Sequence, residues 1–81
     1  MQTTIEAIMN TLDHTDIAII YAMADNRMRP TLAAQNAHYN KRTVYGRLNT
    51  IRLKTGIDPR DFWGLHRLIT IIETGRGKGV G

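Results

Sequence analysis

The chain has 81 residues, 42% of them hydrophobic and 22% charged, with neither cysteine nor serine. That length holds one small domain, the composition is that of a folded chain, and a disulfide framework or thiolate zinc site is excluded. Eleven Lys and Arg oppose seven Asp and Glu for a net charge of +4. The two signs are segregated. Glu6, Asp13, Asp16 and Asp25 lie before Arg27 in a stretch without Lys or Arg; every basic residue follows, against only Asp58, Asp61 and Glu73. A bipolar chain of this kind suggests one face for a polyanion. No apolar run approaches the roughly 18 residues of a membrane span. The opening residues carry no Lys or Arg ahead of their apolar positions, so they do not read as a signal peptide. A cytoplasmic location without a membrane partner is the expectation.

The first helix is expected near residues 4–12. Ile5, Ile8, Met9 and Leu12 share one face, Thr3 or Thr4 can cap it, and Glu6 sits near its positive end. The second is expected near 14–25, capped by Asp13, with Asp16 three residues on. Its apolar residues cover most sides, which marks a central helix; Ile17, Ile20, Tyr21 and Ala24 make one inward face. A buried strand competes for Ile17–Tyr21, and the alanines and the cap favour helix. "DNRMRPT" breaks the pattern, and Thr31 then opens a short Ala-rich helix near 31–37. His38, Tyr39 and Asn40 form a turn, with Asn40 capping a helix near 41–55 that ends at Gly56. Val44, Leu48 and Ile51 face its core side. The last helix is expected near 59–74, with Asp58 as cap, Pro59 in the first turn, and Phe62, Leu65, Ile69 and Ile72 on one face. Gly75 closes it, and the Gly-rich basic tail 75–81 reads as flexible. The tail lacks the Gly-Lys-Ser/Thr spacing of a phosphate loop.

The expected fold is therefore all-α, a small five-helix bundle spanning 1–74 and containing a helix-turn-helix near 31–55. Its expected core is Ile17, Ile20, Tyr21, Ala34, Val44, Leu48, Ile51, Phe62, Leu65 and Ile69.

Nothing in the chain points to an enzyme, cofactor, metal or small-molecule ligand. His14, His38 and His66 have no metal-ligand spacing, and the acidic residues fall at helix starts where capping accounts for them. The stretch 30–54 carries more information. An Ala-rich helix allows close crossing, and after a short turn comes a helix with an apolar inner stripe and long donors outside. That is the layout that places a helix in the major groove of duplex DNA. Arg42, Thr43 and Arg47 are expected at base edges, and Lys41, Arg52 and Lys54 at phosphates. Tyr45 can do either, and Asn49 completes the candidate DNA-binding set.

At the same residues, "HYNKRTVYGRLNTIRLKTG" resembles the C-terminal helix-turn-helix of the purine-catabolism and sugar-diacid regulators, the PucR-like family. His38, Thr43, Arg47, Leu48, Ile51, Thr55 and Gly56 carry the likeness, with Asp58–Asp61 repeating the start of the family's last helix. The resemblance covers about Ile17 to Ile72 and implies a Fis-like helical domain with a role in bacterial transcription. It departs at Ala37, Arg42 and Gly46, where the family carries Leu, Asn and Tyr. The family's sensor domain has no counterpart in the chain.

Double-stranded DNA is thus the expected partner. A homodimer seam is also expected, on the wide faces of the first or last helix. The competing reading keeps the scaffold but makes it a protein-interaction module of a phage or mobile element. RNA binding has little support, because the few aromatics are mostly explained by packing.

Overall fold

The computed structural model describes the backbone of residues 2–80 and the side chains of residues 7–75. It is all-helical, with α1 Gln2–Thr11, α2 His14–Asp25, α3 Pro30–Asn36, α4 Lys41–Thr55 and α5 Phe62–Val80. Central α2 packs against α3, α4 and α5; α1 lies across α4 and α5, and α3 touches α2 and α4. Among the described residues the backbones of α4 and α5 make no close approach, although both helices contribute side chains to the same core. Four helices thus surround or bridge α2, and α4 keeps one side against the bundle and the other in solvent.

Local chemistry explains most boundaries. Asp13 Oδ1 accepts from the Asp16 N–H at 2.8 Å, and Asp16 Oδ2 accepts from the Asp13 N–H at 3.2 Å. This reciprocal capping box satisfies two N–H groups that the first turn of α2 would otherwise leave open. After α2, Arg27 and Met28 both adopt the left-handed region, at φ 57° and 61°. The Met28 N–H closes the turn on the Met23 carbonyl at 2.7 Å, and its side chain packs against the core. Pro30, not Thr31, opens α3; Arg29 stands at the cap position and makes no side-chain capping bond. Proline suits a first helical position because its missing N–H has no intrahelical partner there.

The α3–α4 turn is a Schellman arrangement. His38 takes φ 61°, and the Tyr39 N–H reaches back to the Ala34 carbonyl at 2.9 Å. Tyr39 packs on the core, and Asn40 Oδ1 accepts from the Arg42 N–H at 2.8 Å to start α4. Gly56, at φ 76°, ends that helix.

Both terminal helices depart from expectation. α1 begins at Gln2 rather than Thr4; the expected contributions of the Thr3, Thr4, Ile5 and Glu6 side chains lie outside the described residues. α5 begins at Phe62 rather than Pro59. Asp58 instead makes a tight turn, its carboxylate accepting from the Arg60 N–H at 2.9 Å, and Asp61 caps the helix by accepting from the Gly64 N–H at 2.9 Å. Two carboxylates three residues apart each offered a cap, and the later one captures the helix. The turn folds so closely onto α5 that a Cβ at Gly64 would overlap the Asp58 carbonyl oxygen. At the other end α5 passes through Gly75 to Val80 instead of stopping at Gly75. Gly75 is a packing position, where a Cβ would come within 3.1 Å of the Met9 side chain of α1.

The core contains Leu12, Ile19, Ile20, Met23, Ala33, Ala34, Val44, Leu48, Ile51, Leu65, Leu68 and Ile72. Of the expected core, Ile17, Tyr21 and Ile69 are only half-buried, and Phe62 is 59% exposed. Helix α2 is rotated so that Asp16, Ile19, Ile20 and Met23 face inward. On α5 the inner stripe is Leu65, Leu68 and Ile72, with Ile71 also buried. Phe62, at the first position of that helix, falls beside the stripe and packs edge-on against Trp63 at 4.9 Å.

Leu48 is fully buried where α4 meets the bundle. Leu48→Ala is expected to cost roughly 2–5 kcal/mol of unfolding free energy in urea titrations. A loss under about 0.5 kcal/mol would be a surface-sized effect and would contradict this packing.

Candidate nucleic-acid interface

Helix α4 has two chemically distinct sides. Val44, Leu48 and Ile51 are buried. Opposite them, Arg42, Gly46, Asn49 and Leu53 recur at helical spacing and are all exposed. Lys41, Tyr45 and Arg52 are exposed on one flank of that stripe, and Thr43 and Thr50 are exposed on the other. Arg52 Nη2 donates to Asn49 Oδ1 at 3.1 Å, which couples these two side chains on the outer surface. The aliphatic Leu53 is 68% exposed beside them.

Arg47 and Lys54, one heptad apart, turn away from this surface toward the start of α2. Arg47 Nη1 lies 2.8 Å from Asp13 Oδ2 and 3.3 Å from Asp16 Oδ1. Lys54 Nζ lies 2.5 Å from Asp16 Oδ2. Asp16 has no solvent exposure, whereas the side chains of Arg47 and Lys54 are 36% and 27% exposed. The cluster is electrically balanced, with two carboxylates against two cations. A fully buried carboxylate is tolerable only with such pairing and hydrogen bonding.

The charges respond to this geometry. The Asp13 carboxyl is held below its ordinary range, first by the Asp16 backbone N–H and then by the Arg47 guanidinium. Arg47 is raised above its ordinary value, first by its hydrogen bond to Asp13.

Of the eight residues expected to face DNA, the structure leaves Lys41, Arg42, Thr43, Tyr45, Asn49 and Arg52 exposed on α4. Arg47, expected at a base edge, and Lys54, expected at a phosphate, are occupied by Asp13 and Asp16. Sequence reasoning assigned Asp13 and Asp16 to capping and missed their second role. The available clue was the heptad spacing of Arg47 and Lys54, which sets them on the same flank of α4. His14, His38 and His66 are exposed and lie on different elements. No helix among the described residues is long and apolar enough to cross a membrane.

Comparison with family models, curated proteins and solved structures finds no match to this chain.

Asp16→Ala removes a buried acceptor of charged hydrogen bonds. Its cation partners keep some hydration, so the expected cost is about 1.5–3 kcal/mol rather than that of stranding a fully buried charge. Asp13 adds a pH signature. Its folded-state value is the lower one, so its stabilisation is present above the ordinary carboxylate range and is lost as pH falls through the depressed value. Thermal melts taken from neutral pH into acid are expected to show a smaller acid loss for Asp13→Asn than for the wild type. Equal losses would mean that the Asp13 charge does not contribute.

Proposed function

We propose that this chain is a double-stranded DNA-binding domain that sets the outer side of α4 in the major groove, as part of a bacterial transcription regulator. The observation that carries the reading is the exposed cationic surface of α4. Lys41, Arg42 and Arg52 are exposed there with Tyr45 and Asn49, while the carboxylates packed against α4 are already neutralised on its other flank. The Ala-rich α3, the short turn and the PucR-like pattern of residues support the same reading.

Arg42 and Asn49 lie on the outermost stripe and are assigned to base edges, with Thr43 beside them. Arg can bridge two acceptors of guanine and Asn two groups of adenine. Lys41 and Arg52 are assigned to phosphates, and Tyr45 to a phosphate or sugar. Arg47 and Lys54 drop out of the contact set. Gly46 sits mid-stripe, and a Cβ there would meet nothing within 4 Å. A glycine in an open helix position costs about 1 kcal/mol relative to Ala. Its use here is close approach of the helix backbone to a partner.

One experiment separates these roles: duplex binding across a salt series with two unrelated sequences. Arg52→Ala is expected to weaken both alike and to lower the log–log salt slope by about one unit. Arg42→Ala is expected to reduce discrimination between them, by about 1–3 kcal/mol at a guanine contact. Gly46→Ala is expected to raise stability by about 1 kcal/mol while weakening duplex binding. If no duplex binds at low salt, the reading fails. The exposed Leu53, Phe62 and Trp63 then favour a protein-interaction module.

A second copy is the other partner in this proposal. The apolar surplus expected on α5 is largely consumed by Leu65, Leu68, Ile71 and Ile72 inside the bundle. Phe62 and Trp63, 59% and 71% exposed, are what remains for a seam. Sedimentation at a concentration of tens of micromolar is expected to show a dimer that Trp63→Ala weakens; a 9.2 kDa species would exclude the seam.

A further inference from the structure

Asp13 differs from the other members of the charge cluster. Asp16 is fully buried between Arg47 and Lys54, but Asp13 is 54% exposed in its side chain. One of its oxygens does the structural work, since Oδ1 accepts the Asp16 N–H. The other, Oδ2, faces Arg47 Nη1 at 2.8 Å. Arg47 is itself partly exposed and already has a second carboxylate, Asp16, at 3.3 Å. Capping alone requires no charge at this position, because a neutral Asn side chain accepts the same N–H. The charge on Asp13 is therefore surplus to the cap, and its geometric effect is to neutralise one flank of α4.

We propose that Asp13 is an intramolecular brake on nucleic-acid binding: its carboxylate occupies the position of a phosphate beside Arg47 and keeps that flank of α4 from adding to the cationic surface. The inference rests on the duplex-binding reading and concerns its regulation. With Asp13 charged, Asp13, Asp16, Arg47 and Lys54 sum to zero. With Asp13 neutral, the same cluster carries one positive charge, and Arg47 remains anchored by Asp16. A polyanion running along α4 then meets cations on both flanks instead of one. Anything that removes the Asp13 charge, or draws its carboxylate onto another cation, releases the brake.

The test compares Asp13→Asn with Glu73→Gln. Both variants raise the net charge by one and both keep a side-chain acceptor, so the Asp16 N–H and the Tyr21 hydroxyl retain their partners. Glu73 is exposed on α5, whose backbone makes no close approach to α4 among the described residues. A random-sequence duplex of about 20 base pairs is titrated with the full chain over a salt series, and circular dichroism verifies that all three proteins are folded. Asp13→Asn is expected to bind more tightly than the wild type at low salt, with a log–log slope steeper by up to about one unit. Glu73→Gln is expected to follow the wild type more closely. If the wild type binds and the two variants behave alike, only overall charge matters and the brake is overturned while the duplex reading stands. If only Asp13→Asn binds, the brake is supported in its strongest form. If none of the three binds, both the brake and the duplex reading fail.

Discussion

A carboxylate removed from water must be compensated locally, and in this protein that requirement falls on Asp16. Its two oxygens receive Arg47, Lys54 and the Asp13 N–H, while its own N–H goes to Asp13. The first turn of α2 and one flank of α4 are thereby fixed to each other. Hydrophobic burial is not directional and would tolerate several rotations of α2, which is apolar on most sides. The ion cluster is directional, and it chooses the rotation that brings Asp16, Ile19, Ile20 and Met23 inward.

The same cluster divides α4 functionally. Its cations are drawn to two uses, one holding the helix to the bundle and the other facing solvent. Arg47 and Lys54 belong to the first use, and Lys41, Arg42 and Arg52 to the second. The segregation of charge along the chain, acidic before Arg27 and basic after it, therefore has a structural consequence as well as a proposed functional one. Part of the attraction between the two portions is spent inside the fold. What remains exposed on α4 is the cationic surface on which the DNA-binding proposal depends.

The elements whose boundaries rest on local chemistry were legible. Asp13 and Asn40 cap α2 and α4 as their positions in the sequence suggest, and Gly56 ends α4. The weaker cases are those in which local chemistry offered two answers. Asp58 and Asp61 could each cap the last helix, and the close fit of the turn against Gly64 goes with the second. Gly75 looked like a terminator because glycine is poor in helices, but its lack of a side chain admits Met9. In the candidate site, the exposure of Lys41, Arg42, Tyr45, Asn49 and Arg52 follows from the position of the apolar stripe on α4. The engagement of Arg47 and Lys54 does not, because it depends on a helix lying 31 and more residues earlier in the chain.

By itself, then, the sequence determined an all-helical chain of five elements, their approximate order and ends, and the buried stripe of α4. These follow from interactions within one or two turns, between residues whose spacing is written in the chain. Only the tertiary structure decided which side of α2 faces inward, that Phe62 stays outside the core, and which cations of α4 are exposed rather than held by Asp13 and Asp16. Those outcomes depend on pairing between distant segments, where one carboxylate cannot leave water until two cations from another helix are in place to receive it.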